Sequence, residues 1–107
     1  MKVENLTSPR SGRQVPNQFV IITTETNYVA GMAVDRDVEY FQSYESIIVK
    51  KVQKAGAWRI FLDERCWNCS RTTSKYRNQF LCETTRETRE KIASGEYTLT
   101  NLNLGKI

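Results

Sequence analysis

Between residues 18 and 63 the chain holds short apolar runs rich in β-branched and aromatic residues, and at 58–63 Trp58, Ile60 and Leu62 alternate with their neighbours in the period of two that is typical of β-strands. Successive side chains of a strand point to opposite faces, so this period indicates strands that present two different faces. The pattern predicts strands at 18–24, 38–44, 46–52 and 58–63, the last within the sheet and not at its edge. A further apolar run at 28–34 is interrupted by Gly31, and we expect turns at 35–37 and 54–57.

After residue 63 the spacing of apolar residues lengthens to that of a helix. Thr73, Tyr76 and Phe80 lie on one face of a 3.6-residue repeat, which predicts a helix beginning near residue 71. Short hydroxyl side chains accept hydrogen bonds from the free N–H groups at a helix start. Ser70 or Thr72 is therefore the expected N-cap.

A second helix is predicted by the capping-box pattern of Thr84 and Glu87. It should end just before Gly95, which is a common stop signal. Glu87 and Lys91 are one helical turn apart, and we expect them to form an ion pair. Residues 97–104 alternate weakly and would add a short edge strand.

Together these elements predict a single α+β domain, an antiparallel β-meander of about four strands followed by two helices. The length of 107 residues is that of one domain. Residues 1–17 are polar and interrupted by proline and glycine, so we expect a flexible basic arm there and the folded domain at 18–107. No apolar run approaches the ~20 residues that cross a bilayer, and no secretory signal is recognisable, so we expect a cytoplasmic protein.

The residue types argue against catalysis. Histidine is absent, which removes the commonest general base and the commonest nitrogen ligand of metals. Asp35 with Asp37, and Asp63 with Glu64, are carboxylate pairs of the kind a metal-dependent nuclease uses, but neither pair has a suitably spaced lysine. We predict no catalytic residues, no metal site, no cofactor and no enzymatic activity.

Cys66 and Cys69 have C-x-x-C spacing, which before a helix can hold a thiolate of lowered pKa. A thioredoxin-like site would also need a βαβ unit, and the predicted meander contains no parallel crossover. A structural zinc ion needs four ligands, so Cys82 and a carboxylate such as Glu83, or a second chain, would have to complete the set. We interpret this stretch as small residues around a packed Trp67.

Charge is distributed unevenly along the chain. Residues 18–49 hold one cation against five anions, whereas residues 50–77 hold eight cations against two anions. This asymmetry favours a nucleic-acid or acidic partner, or a surface that pairs with itself. The start of the first helix would suit phosphate, although ordinary capping explains its hydroxyls too. The candidates for nucleic-acid or phosphate binding are Arg10, Arg13, Lys50, Lys51, Lys54, Arg71, Lys75 and Arg77.

Two motifs suggest a relationship to other proteins. Residues 41–44, F-Q-S-Y, with isoleucines at 47 and 48, resemble an F-x-S-Y-x-x-x-I motif on strands, and residues 69–75 resemble a Y-S-x-T-T-S-K motif that opens a helix. Segments 5–13 and 17–19 are similar to phage members of the same group. The chain thus resembles small proteins encoded by bacteriophages, plasmids and other mobile elements of bacteria, with Cys69 where the motif has an aromatic residue.

The resemblance implies an accessory protein that acts in the cytoplasm of the bacterial host by stoichiometric binding. Inhibitors of host defence, including anti-CRISPR proteins, are prominent among small phage proteins without catalytic residues, so the implied partner is a host protein complex such as a CRISPR effector. The acidic residues that would face the nucleic-acid channel of that complex are Asp35, Asp37, Glu39 and Glu45. The alternative is a nucleic-acid-binding accessory protein that uses the basic middle segment.

Overall fold

Six strands form one sheet in the computed structural model, which describes residues 1–54 and 56–104. The strands are β1 (Lys2–Thr7), β2 (Gln14–Val29), β3 (Met32–Ser43), β4 (Ser46–Lys54), β5 (Ala57–Asp63) and β6 (Tyr97–Thr100). Helices α1 (Arg71–Leu81) and α2 (Thr85–Ala93) come between β5 and β6 in the chain. Residue 55 of the expected turn at 54–57, and residues 105–107 of the expected domain, lie outside the described residues.

The predicted α+β class is confirmed, but the expectation of about four strands was an undercount. Strands β1 to β5 are antiparallel neighbours in chain order, whereas β6 runs parallel to β5, with Tyr97 opposite Ile60. The two helices therefore connect parallel strands, and the expectation that the chain lacks a parallel crossover was wrong. The strand β6 is short and its apolar and polar residues alternate only weakly. Its place in the sheet is set by its pairing with β5, which residues near it in the chain do not indicate.

The predicted arm at 1–17 contains the edge strand β1. Its backbone pairs with β2 from Lys2 opposite Ile22 to Thr7 opposite Gln14. The connection to β2 is closed by a 2.8 Å hydrogen bond from the Ser8 N–H to the Arg13 carbonyl. The residues of β1 are mostly polar and exposed, as is common for edge strands, so the sequence lacks the apolar alternation that marks strands in the interior of a sheet.

The core lies between one face of the sheet and the two helices. Phe41 of β3 stacks on Phe80 of α1, with 5.9 Å between ring centroids, so the face that carries Phe41 is the helix side. Directly paired residues share a face, which places Val20, Val49 and Leu62 on the same side. The buried core residues are Phe41, Ile48, Val49, Leu62, Tyr76 and Tyr97.

The other face of the sheet carries a transverse row of paired residues. Ile21, Tyr40, Lys50 and Phe61 are successive cross-strand partners from β2 to β5. Both described helices pack on the Phe41 side, so we call this second face the open side. It is partly apolar, and the four side chains of this row are each half-buried.

Strands β2 and β3 extend beyond their neighbours as a projecting hairpin. Pairing of β1 with β2 stops at Ile22, and pairing of β4 with β3 begins at Val38. Among the described residues, 24–29 and 32–37 pair only with each other, over about 20 Å of strand. The molecule is correspondingly elongated, with extents of 47 × 31 × 31 Å.

The hairpin turn lies at Ala30 and Gly31, whose φ angles of 51° and 79° are those of a two-residue type I′ turn. The turn expected at 35–37 was therefore wrong. Asp35–Asp37 continue β3 in unbroken register with Thr24–Thr26. Charged residues can occupy this strand because the projecting part has no core face to bury.

The ends of the helices follow the sequence closely. The Ser70 side chain caps α1 by accepting from the Thr73 N–H, and Thr84 and Glu87 form the expected capping box on α2. The ion pair expected between Glu87 and Lys91 was wrong. The Glu87 carboxylate accepts from the Thr84 N–H, while the Lys91 ammonium lies 3.0 Å from Glu83.

Candidate functional site

Three of the four acidic candidates share one side of β3, Asp35 and Asp37 on the projecting hairpin and Glu39 at its base. Asp35, Asp37 and Glu39 alternate along β3, so their side chains point to the helix side of the sheet. Glu45 lies in the β3–β4 turn, beyond the far end of β3 and roughly 26 Å along the strand from Asp35. The structure thus brings three of these residues into a row and separates the fourth.

This acidic row is directed to solvent. Asp35 and Asp37 are exposed and Glu39 is half-buried. The Thr26 hydroxyl donates a 2.7 Å hydrogen bond to Asp35 Oδ1 and orients that carboxylate. In the described part of the chain, the carboxylates of Asp37 and Glu39 have no hydrogen-bond or ion-pair partner, so their charge is available to a binding partner.

The end of the hairpin exposes apolar side chains. Val29, Met32 and Val34 alternate on the open side, and Met32 is 71% exposed. Tyr28, on the acidic side, is 77% exposed. Large exposed apolar residues that are grouped, and not scattered singly, mark interaction surfaces. The hairpin therefore combines an acidic row on one side with an apolar tip.

At the base of the hairpin, Lys50 is already neutralised. Its ammonium lies 3.0 Å from the Glu25 carboxylate, which also accepts a 3.0 Å hydrogen bond from the Tyr40 hydroxyl. Burial opposes ionisation of Glu25, but the hydrogen bonds from Lys50 and Tyr40 outweigh it, and the pKa of Glu25 is lowered. Lys50 thus supports the sheet and is poorly placed to contact phosphate.

The three cations of β4 do not share one surface. Lys51, the next residue, points to the helix side, where its ammonium lies 5.2 Å from the Trp58 ring and 5.3 Å from the Phe80 ring. Lys54 is exposed at the end of β4. The basic candidates of this strand are therefore divided between the two sides of the sheet.

Arg77 is fully buried and cannot contact a phosphate in this fold. Its guanidinium donates to the Trp67 carbonyl, to Asn78 Oδ1 at 2.9 Å and to Thr85 Oγ1 at 2.8 Å. It also lies 5.2 Å from the Trp67 ring. Arg77 was expected to help hold phosphate, but its burial gives it a structural role instead: this side chain joins the loop before α1 to both helices.

Besides Lys54, four basic candidates are exposed, and these lie on and beside α1. Arg71 and Lys75 are one turn apart on its solvent face. Gln79, one turn further, donates a 2.8 Å hydrogen bond to the Thr7 carbonyl. That bond places the loop carrying Arg10 and Arg13 at the end of α1 distant from Arg71.

The C-x-x-C segment does not have the features of an activated thiol. Burial raises the pKa of the Cys66 thiol, as do the neighbouring Cys69 and Asp63. Cys82 lies at the opposite end of α1, about 16 Å of helix from Cys69. Within residues 1–54 and 56–104, no three Cys, Asp or Glu side chains are grouped as a metal site would require.

The packed tryptophan expected beside these cysteines is present. Trp67 is half-buried against the core cluster. The guanidinium groups of Arg77 and Arg89 lie 5.2 and 5.8 Å from its ring centroid. Trp67 therefore joins the loop to α1 and α2.

Sequence reasoning missed the structural role of Asp63. Its buried carboxylate accepts hydrogen bonds from the backbone N–H groups of Arg65, Cys66 and Leu102. Burial opposes ionisation, but these bonds outweigh it and lower the pKa of Asp63. An aspartate at a strand end followed by a turn is a recognised local signal. The bond to Leu102 has no such signal.

Glu83 is a second buried carboxylate that no motif indicated. Its side chain, 4% exposed, accepts from Thr88 at 2.6 Å, from Tyr97 at 2.6 Å and from Lys91 at 3.0 Å. Burial opposes ionisation, yet the three hydrogen bonds outweigh it and lower the pKa of Glu83. Burial and the bond to Glu83 raise the pKa of Tyr97 to about 12. This network attaches α2 to β6.

A model of a family of unknown function, DUF8033, matches residues 1–96. A search of curated proteins found no significant match, and a search of solved structures found none. No helix in the described ranges 1–54 and 56–104 is long and apolar enough to cross a membrane.

Proposed function

Since the chain belongs to the DUF8033 family, whose function is unknown, we propose its function from geometry: it acts without catalysis, by stoichiometric binding of a protein partner through the projecting hairpin. Following the resemblance to mobile-element proteins, we assign it to the inhibitors of host defence complexes, the anti-CRISPR type included. The single observation that supports this proposal is the hairpin, with its row of Asp35, Asp37 and Glu39 and its apolar tip.

The hairpin combines the properties of a protein-binding surface. Interfaces need an apolar centre, which the tip offers, and complementary charge, which gives specificity and speeds association. A host complex that holds nucleic acid presents cations along its channel. Carboxylates on every second residue of a strand are about 6.8 Å apart. The phosphates of one DNA strand are spaced at about 3.4 Å along the helix axis, so every second phosphate is separated by the same distance. An acidic row of this spacing is suited to such a channel.

The proposal is tested by affinity capture from a bacterial lysate. Tagged wild-type protein is compared with the triple variant Asp35→Asn, Asp37→Asn, Glu39→Gln. A control, Glu64→Gln with Glu90→Gln, removes two exposed negative charges at a distance from the hairpin. We expect a protein partner to be retained by wild type and control and depleted at least about fivefold by the hairpin variant. Absence of any partner, or equal capture by all three proteins, would refute the proposal.

The second candidate function is nucleic-acid binding, which is favoured by the exposed Arg71 and Lys75 and by the neighbouring loop with Arg10 and Arg13. If these four cations contact phosphates, log affinity for DNA should fall with log salt at a slope of about −3 to −4. Fluorescence anisotropy at ~50 and ~200 mM salt measures this slope. Arg71→Ala with Lys75→Ala should weaken binding, whereas Arg86→Ala on α2 should not. A flat salt response would exclude this function.

A further inference from the structure

The outer edge of β3 in the hairpin is available for pairing with another strand. The two-residue turn at 30–31 makes Val29 and Met32 a hydrogen-bonded pair. From Met32 onward, the backbone N–H and C=O groups of successive residues therefore point alternately toward β2 and away from it. The N–H and C=O groups of Ala33, Asp35 and Asp37 consequently point away from β2, and β4 joins only at Val38. Within the described chain these outward groups have no hydrogen-bond partner, and such an edge is a template for strand addition.

A notch borders this edge. A cavity of about 290 Å³ is lined by residues 34–37 of β3 and by Gln53 and Gly56 beside the β4–β5 turn. It lies where β4 would continue if it followed β3 past Val38. An added strand would therefore have the β3 backbone along one side and the wall formed by Gln53 and Gly56 at its end.

The alternation of side chains along the edge defines what would fit it. Asp35 and Asp37 point to the helix side, and Val34 points to the open side. Directly opposed residues of two strands share a face, and opposite charges stabilise such pairs. In an antiparallel strand, read from the position opposite Asp37, the favoured order is cation, any residue, cation, apolar residue.

A second copy of this chain does not fit this edge. Two β3 edges paired with each other would bring the acidic side chains of both copies to the same face of the joined sheet. Like charges directly opposed across strands are destabilising. In the antiparallel register that pairs all of residues 33–37, Asp35 of one copy would directly face Asp35 of the other.

We propose that the β3 edge binds an extended, cationic segment of a protein partner by strand addition, with the cations opposite Asp35 and Asp37. Antiparallel addition gives the hydrogen-bond geometry that is the more stable per residue. The inference rests on the proposed function, since it assigns a binding mode to the same hairpin.

A designed peptide tests this binding mode. The probe is the blocked, fluorescein-labelled sequence G-T-K-T-K-V-T-G, titrated with the full chain and followed by anisotropy. One control peptide has glutamine in place of both lysines. In another, the backbone nitrogens of both lysines are methylated, because the N–H groups at these two positions would face β3. The protein variant is Asp35→Asn with Asp37→Asn, and its control is Glu64→Gln with Glu90→Gln. Backbone amide shifts in NMR spectra locate the bound peptide.

We expect N-methylation to weaken binding by about tenfold or more, because backbone hydrogen bonds are lost. Removing the charge from Asp35 and Asp37 should weaken it about fivefold, and the control variant should leave it unchanged. Amide shifts should concentrate at 33–37. Strand addition would be overturned if the peptide failed to bind or if the N-methylated peptide bound as tightly as the unmodified one. It would also be overturned if the amide shifts at 33–37 changed with protein concentration alone, without peptide, since the edge would then pair with a second copy. If lysate capture still depends on the acidic row, only the binding mode is refuted; if that dependence is absent too, the proposed function falls with it.

Discussion

Arg77→Ala removes a fully buried guanidinium from the junction of the 64–70 loop with α1 and α2. In wild type this group donates to the Trp67 carbonyl, Asn78 and Thr85, which lie on three separate segments. Alanine removes the guanidinium donor from all three acceptors, of which Thr85 Oγ1 retains a 3.1 Å hydrogen bond from the Asn78 amide, and it leaves unfilled space beside the Trp67 ring. The variant therefore separates a structural role from the phosphate contact that the sequence suggested.

The expected loss follows from these contacts. Each hydrogen bond from a charged donor contributes about 1.5 kcal/mol net, so three contribute about 4.5 kcal/mol. Burial disfavours the charged form, as the lowered pKa of Arg77 indicates, and relief of this penalty in the variant offsets part of the loss. The unfilled space adds about 1 kcal/mol. We expect Arg77→Ala to lower the free energy of unfolding by about 3–5 kcal/mol.

Urea unfolding followed by tryptophan fluorescence measures this change. Arg77→Lys should lose about 2 kcal/mol, since one ammonium cannot replace a planar fork that reaches three acceptors. Lys75→Ala on the exposed face of the same helix is the control, and it should change stability by less than about 0.5 kcal/mol. If Arg77→Ala cost less than about 1 kcal/mol, or no more than Lys75→Ala, the structural role derived from its contacts would be refuted.

Three further predictions concern other parts of the molecule. The folded-state pKa of Glu83 is lowered, so its contribution to stability is present above the unfolded pKa and is lost as pH falls through the folded value. Glu83→Gln should therefore be less stable than wild type at pH 7. Its melting temperature should also fall less steeply as the pH is lowered, which thermal unfolding at a series of pH values measures. Gly31→Val places a branched residue at φ +79°, where the surrounding space is open and the cost is backbone strain of about 1–2 kcal/mol. Hydrogen exchange of the backbone amides at 23–29 should therefore accelerate about tenfold or more, and an unchanged rate would contradict the turn. Iodoacetamide at pH 7.5 should alkylate exposed Cys69 and Cys82 before Cys66, whose thiol pKa is raised, and mass spectrometry with tryptic mapping gives the order; first reaction at Cys66 would contradict that environment.

Local chemistry made the helices predictable. Ser70 and the Thr84–Glu87 pair satisfy N–H groups within three residues of themselves, so their sequence spacing is enough to locate the helix starts. The separation of Lys50 from Lys51 was also within reach, because adjacent strand residues point to opposite faces. The turn at Ala30 and Gly31 offered a weaker signal, a glycine at the position of left-handed φ, which the charged stretch at 35–37 obscured.

The candidate site was predictable only in its residue types. The sequence indicated an acidic segment, and three of its four residues form the row on the hairpin. Their common side follows from the strand period, but their projection beyond the sheet depends on where β1 and β4 stop pairing. Those endpoints are set by partners distant in the chain.

By itself the sequence determined the α+β class, most of the strands and the capped helices, because each depends on contacts between residues close in the chain. Tertiary structure alone decided the parallel position of β6, the projection of the hairpin and the burial of Arg77. The first two depend on the register of segments far apart in sequence, and the third depends on the packing of a loop residue and a second helix, ten and eight residues away, around α1. An arginine at this helical position is equally compatible with a solvent-exposed face. Only the packing of Trp67 and Thr85 against its side chain makes Arg77 part of the interior.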